Sequence, residues 1–221
     1  MIRRVYGEAL GSAFLFMTVV GSGIMAQQLA GGNVGVALLA NTIATGAVLF
    51  VLIAMLGPVS GAHFNPAVSL VMWLRGEGGM GQLGAVIAAQ LVSGILGVWA
   101  AHAMFDMPVL QLSHHARTGL GQWLGEFMAT FGLLTVILGT SRQRPAAVPA
   151  SVALYITAAY WFTSSTSFAN PAITVARALS DTFAGIAPAD APGFIAAQLA
   201  GALAAHGLDR AVFGRAQSAL A

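Results

Sequence analysis

The chain has 221 residues, 57% of them hydrophobic and only 7% charged, with a mean hydropathy of +0.81, whereas soluble domains typically carry about 25% charged residues. Too few charges are present to cover a globular surface in water, so the outer surface is expected to face the lipid bilayer. The net charge of +2 arises from arginines without lysine, dispersed rather than clustered as a nucleic-acid partner would require, and the lack of cysteine removes disulfides and thiolate metal sites. No cofactor and no metal site is expected.

A membrane span takes about 20 residues. By that rule six spans are expected, at about 5–26, 34–56, 80–103, 118–140, 148–167 and 190–208. The first carries Glu8 and runs well past the apolar core of a secretion signal, so a cleaved leader is not expected. After span two comes Gly61-Ala62-His63-Phe64-Asn65-Pro66-Ala67-Val68, and after span five comes Ser167-Phe168-Ala169-Asn170-Pro171-Ala172-Ile173-Thr174. Asn caps free N–H groups and Pro, lacking an N–H, suits the first helical position, so each stretch starts a helix. Neither apolar run that follows is long enough to span a bilayer. Two such starts about 105 residues apart predict two half-helices meeting inside the membrane.

The halves match elsewhere. Gly7-Glu8-Ala9-Leu10-Gly11 in span one parallels Gly125-Glu126-Phe127-Met128-Ala129 in span four, and Ala88-Ala89-Gln90-Leu91 in span three parallels Ala196-Ala197-Gln198-Leu199 in span six. Three cognate features in one order predict an internal duplication within a single domain over 1–221, with one repeat over about 1–105 and the other over about 117–215. With three spans per copy the second enters from the opposite side, giving an inverted repeat. The fold class is therefore an all-α membrane protein with six transmembrane helices and two re-entrant half-helices. Glycines within the spans are read as packing positions.

Arg3, Arg4, Arg75, Arg142, Arg144, Arg210 and Arg215 all fall on the side of the termini, Arg117 lies opposite, and the Gln27–Asn33 loop carries no charge. By the positive-inside rule both termini are cytoplasmic, in a multi-pass protein of the inner (plasma) membrane.

If the half-helices beginning at Pro66 and Pro171 meet near the midplane, both N-termini point at one spot. Each acts as about half a positive charge, and two at about 4 Å with an effective dielectric near 20 oppose a cation by roughly 4 kcal/mol. Asn65 and Asn170 place amide donors there, and the loops before them expose carbonyls, which is tolerated at membrane depth only where backbone lines a watery cavity. Such a file of donors and acceptors replaces the hydration of a neutral polar solute but not that of an ion.

The paired Asn-Pro-Ala motifs, Ser60-Gly61-Ala62-His63-Phe64-Asn65-Pro66-Ala67-Val68, the Glu8 and Glu126 pair and the duplicated halves resemble the aquaporin and aquaglyceroporin family of major intrinsic proteins, from about Tyr6 to about Phe213. The resemblance implies a pore in each subunit of a homotetramer. It implies pore carbonyls at Gly61, Ala62, His63, Thr166 and Phe168, and loop bracing by Glu8 and Glu126 through hydrogen bonds to the loop backbone. For His63 it implies that the carbonyl rather than the ring lines the pore, a pH-sensing ring being the alternative. His114 and His115 are expected to be solvated loop residues, and His102 and His206 interfacial.

Counting from Asn65 and Asn170 by the family's spacing, the four selectivity-filter positions are Thr45, Ala158, Ser167 and Ile173. The arginine, aromatic and histidine of water-selective members are then absent, which predicts a wide filter. Arg177, one turn beyond Ile173 on the same face, either restores part of the missing charge or, the favoured reading, pairs with a carbonyl or carboxylate and anchors the loop. The stretch from Ile173 through Pro188 and on to Gly193 resembles a bacterial branch with an aliphatic filter residue that is associated with arsenic resistance. The expected function is thus passive passage of small uncharged solutes: water, glycerol-like polyols and neutral arsenic or metalloid species. The alternatives are a water-selective pore or a secondary transporter with inverted repeats. An enzyme is not expected, since Ser60 and His63 lack the surroundings of an intramembrane protease.

Overall fold

A computed structural model describes residues 1–213; Arg215 lies outside them. The described chain forms α1 (Ile2–Leu29), α2 (Val34–Ser60), α3 (Pro66–Leu74), α4 (Met80–Met104), α5 (Leu120–Gln143), α6 (Val148–Phe162), α7 (Pro171–Arg177) and α8 (Ala191–Phe213). Six helices are long and apolar enough to cross a membrane, α6 by extension through the 3-10 turn Pro145–Ala147. The half-helices α3 and α7 have only 9 and 7 residues. No strand occurs among the described residues.

Local chemistry sets the ends of these elements. The Asn33 side chain accepts the Val36 N–H at 3.1 Å to open α2, and Gly61 closes it in a left-handed conformation, φ 90°. Helix α6 stops at Phe162, short of the expected 167. The hydropathy rule carries the span through Thr163 to Ser167, but hydroxyl side chains compete for nearby backbone groups, and Thr163 turns extended while Thr166 and Ser167 take positive φ.

The duplication governs the packing. Helix α1 packs on α2 and α4, and α5 packs in the same way on α6 and α8. The halves join through α2 and α6, and each half-helix also touches the last long helix of the other half, α3 against α8 and α7 against α4. Large apolar side chains such as Phe14, Ile43, Leu96, Leu124, Leu154 and Leu203 stay exposed on all six spans, as a lipid-facing surface requires.

Where α4 crosses α1, a β-carbon on Gly97 would overlap the Ala13 carbonyl oxygen; where α8 crosses α5, one on Gly201 would overlap the Phe127 carbonyl oxygen. Small residues at these crossings let the backbones touch, the main source of helix association in lipid. Gly97→Ala is expected to destabilise the fold by about 1–3 kcal/mol, read as a lower thermal unfolding midpoint in detergent. An unchanged midpoint would refute this reading of the crossing.

Ion pairs gather one end of the bundle. Arg75 and Arg142 both bind the buried Asp209, the latter at 2.8 Å, and Arg4 lies 3.7 Å from Glu77. The start of α1, the α3–α4 turn and the ends of α5 and α8 therefore share one face. His102, expected at an interface, is instead fully buried, its ring in contact with Ser180 Oγ at 2.9 Å and the Val109 carbonyl at 3.0 Å. Position near a helix end gave no sign of Ser180, which the loop after α7 folds onto it. His114 and His115 are exposed and His206 is half-buried.

Candidate functional site

The two half-helices start face to face. Asn65 Oδ1 accepts the Ala67 N–H at 2.9 Å, and Asn170 Oδ1 accepts those of Ala172 and Ile173 at 3.0 and 3.3 Å. The amide nitrogens reach across: Asn65 Nδ2 donates to the Ala169 carbonyl at 2.7 Å and Asn170 Nδ2 to the Phe64 carbonyl at 2.8 Å. Each asparagine thus caps its own helix and pins the other loop, and each amide keeps a second N–H beyond the one so used. Pro66, Ala67, Pro171 and Ala172 are buried in the first turns.

Both loops that lead into the asparagines are bent in the same way. Positive φ recurs at Gly61, Ala62 and Phe64, and again at Thr166, Ser167 and Ala169. Non-glycine residues rarely adopt this region unless their surroundings hold them there. Alternating backbone hands turn successive N–H groups to one side, forming an anion-binding nest. In the first nest sits Glu8, which accepts from the His63 and Phe64 N–H groups at 2.9 and 2.7 Å, from Ser60 Oγ at 2.8 Å and from Gln90 Nε2 at 2.7 Å. In the second sits Glu126, which accepts from the Phe168 and Ala169 N–H groups, both at 2.8 Å, and from Gln198 Nε2 at 2.6 Å. Both glutamates are fully buried. The glutamines serve as further links, donating also to Ser69 Oγ at 3.0 Å and Thr174 Oγ1 at 2.9 Å. Gln90 and Gln198 stand in the sequence as a repeat feature, and a matched amide in two apolar spans is the signal of their part in the site.

One cavity of about 490 Å³ runs along the loops. Arg75, Glu77 and Arg142 border it at the end holding the ion pairs; Val68, Met72 and Leu138 line it, as do Asn65 and Asn170; Thr45, Tyr160, Ser167 and Ile173 line it too. Gly61, Ala62, His63 and Phe168 belong to the lining, whereas Thr166 does not. The His63 ring lies beside Gly61 with both nitrogens engaged, Nδ1 3.1 Å from Ser69 Oγ and Nε2 3.3 Å from the Arg4 guanidinium. Ser167 Oγ is buried without a partner, a polar group left for something in the cavity.

Ala158 is a correction. It is exposed and absent from the lining, and Tyr160 lines the cavity, its hydroxyl 3.3 Å from Thr45 Oγ1. On α6 the lining residues Val152, Ile156 and Tyr160 follow one another at four-residue steps, while Leu154, Ala158 and Trp161 share the opposite, exposed face. The cavity therefore does contain an aromatic at this level. The other three expected filter residues are among its lining.

Phe168 gathers two arginines. The Arg177 guanidinium carbon lies 3.3 Å from the ring centroid and that of Arg117 lies 5.2 Å away, while Phe194 meets the ring edge-on at 5.1 Å. Arg177 Nε donates to the Ala184 carbonyl. Arg117 Nε donates to the Gly185 carbonyl at 2.7 Å, and its backbone N–H to Asp190 Oδ2 at 2.8 Å. Arg117 lies outside the spans, where burial brings its guanidinium down to about 10, against the raising influence of Glu126 and Tyr160. Nothing in the local sequence around Arg117 marks it as turned inward.

Two capped half-helices set end to end beside a cavity, inside six apolar spans, make a membrane channel. Residues 1–168 match the Major intrinsic protein family. The chain is 54% identical over 210 residues to Aquaglyceroporin AqpS of Rhizobium meliloti (strain 1021), covering 95% of this chain and 90% of that protein. It is 26% identical over 170 residues to Aquaporin Z of Photorhabdus laumondii, covering 70% and 73%. The fold matches the X-ray structure of the aquaglyceroporin from Plasmodium falciparum with a TM-score of 0.72 over 96% of each chain, at 20% identity. The chain belongs to the major intrinsic protein family, whose members are channels rather than enzymes.

Proposed function

We propose that this channel passes small uncharged solutes, water and glycerol-like polyols together with neutral hydroxylated arsenic or metalloid species, through a filter formed by Thr45, Tyr160, Ser167 and Ile173. The observation that carries this reading is Ile173 in the cavity wall, one turn after the asparagine cap, where no charged side chain faces a solute. An aliphatic side chain in the same lining as the Thr45, Tyr160 and Ser167 hydroxyls offers apolar and polar surface together, as the two faces of a polyol require. The carbonyl-rich loops and the asparagine amides exchange hydrogen bonds with such a solute as it moves. Glu8 and Glu126 brace those loops. The end bearing Arg4, Arg75 and Arg142 faces the cytoplasm, both termini with it, in the inner membrane, and four copies assemble as a homotetramer with one pore each. The name of the Rhizobium meliloti relative supports a polyol-conducting channel; the arsenic species are its chemical analogues, since their hydroxyls present the same donors and acceptors.

In liposomes holding the purified protein, a glycerol gradient is expected to give fast shrinkage followed by fast reswelling in light scattering. Reswelling no faster than in empty liposomes would replace this reading by a water-selective pore. Accumulation of solute against its gradient would replace it by a transporter, since a channel cannot concentrate what it carries.

A further inference from the structure

We propose that Arg117 and Arg177, gathered on Phe168 behind the pore wall, form the cation barrier of this channel in place of a charged side chain in the filter. The inference rests on the reading of the pore given under Proposed function. Both side chains are withdrawn from solvent, at 8% and 2% relative exposure, and neither belongs to the cavity lining. Neither makes an ion pair with a carboxylate among the described residues. Their partners are instead neutral: the carbonyls of Phe183, Ala184 and Gly185, three in succession, with Ser165 O and Thr166 Oγ1 at 3.5 Å from Arg117.

Buried charge is costly unless paired, and anchoring a loop to three carbonyls calls for N–H donors but not for a net charge, since neutral amides also donate. Two guanidiniums with no directly paired carboxylate, opposed only by the Glu126 carboxylate that holds the Phe168 N–H, leave a net positive field beside the filter. The ring that separates them from the cavity transmits it, because Phe168 lines the cavity and carries both cations against itself. At an effective dielectric near 20, a net unit charge set about 8 Å from a path would lower cation entry roughly thirtyfold. Such a charge would supply a large part of what Ile173 withholds, without narrowing the pore. The device separates the two tasks of a filter arginine: size selection passes to the lining, and charge selection to residues behind it.

The test uses liposomes carrying the full-length channel, with sodium influx read by an entrapped sodium dye and glycerol reswelling recorded on the same vesicles. Glycerol flux normalises for the amount of folded channel. Arg117→Gln and Arg177→Gln, which keep an amide donor for the carbonyls, are each expected to raise the sodium-to-glycerol ratio at least tenfold. Arg177→Lys, which keeps the charge but loses the planar stack, should stay near the wild-type ratio. Glycerol-conducting glutamine variants as tight to sodium as wild type would overturn the barrier, as would Arg177→Lys leaking as much as Arg177→Gln. Should Arg177→Gln fail to conduct glycerol, Arg117→Gln, in a loop outside the spans, decides alone by the same ratio. Wild-type vesicles passing no glycerol would overturn the pore reading itself, and this inference with it.

Discussion

Glu126→Ala is expected to leave little folded channel: a broad, aggregated profile in size-exclusion chromatography and solute flux no higher than in empty liposomes. The substitution strands the Phe168 and Ala169 N–H groups and the Gln198 amide, all buried and all now bonded to the carboxylate. Each orphaned buried donor costs about 1–3 kcal/mol, so three together cost roughly 3–9 kcal/mol, comparable with the whole stability of a typical domain, about 5–15 kcal/mol. The left-handed residues Ser167 and Ala169 add to the effect, because the Phe168 and Ala169 N–H groups that the bent loop turns inward are held by the carboxylate. Glu126→Gln keeps one accepting oxygen but turns an amide nitrogen toward a donor, so it should retain part of the fold and less than a tenth of the flux. Wild-type melting and flux in Glu126→Ala would end the bracing account for this repeat. Glu8→Ala should behave alike, since Glu8 accepts four donors in the cognate nest.

What could be read from the sequence and what could not divide along a physical line. Long apolar spans, capped starts at Asn65 and Asn170 and a repeated Gly-Glu pair are local signals, and the helices α1 to α8 lie where those signals put them, apart from the early end of α6. The inward face of α6 is a different kind of fact. Val152, Leu154, Ile156 and Ala158 are all apolar or small, so no contrast along the helix tells the pore from the lipid. The choice is made by where the chain leaves α6 at Thr163 and how seven further residues return to Asn170, which a count of residues cannot resolve. Arg117 and His102 were opaque for a related reason. Their partners, Gly185 and Ser180, lie 68 and 78 residues away along the chain, in the loop after α7, which reaches His102 on α4 and Arg117 ahead of α5. A charged residue near a span end reads as an interfacial one until that loop is seen to close over it.

Ile173→Arg is expected to cut glycerol flux at least tenfold while water flux falls by no more than about threefold. Tenfold corresponds to about 1.4 kcal/mol of added barrier, a modest demand on a side chain that reaches several ångströms farther into the cavity. The direction of that reach is settled by electrostatics. Arg177 lies one turn along the same face and Arg117 stands beside the same ring, so a new guanidinium is repelled from the wall and driven into the opening between Tyr160, Thr45 and Ser167. Ser167 Oγ, buried and without a partner, is an acceptor waiting there. Water still passes, because it needs a narrower opening and exchanges hydrogen bonds with the new donors. A polyol loses both the width and the apolar wall that Ile173 supplies. Ile173→Leu serves as the control for shape alone and should keep glycerol flux within about twofold. Should Ile173→Arg pass glycerol as fast as wild type, Ile173 does not stand at the narrowest point, and the filter must then be sought nearer the asparagines, where Asn65 and Asn170 alone would set the width.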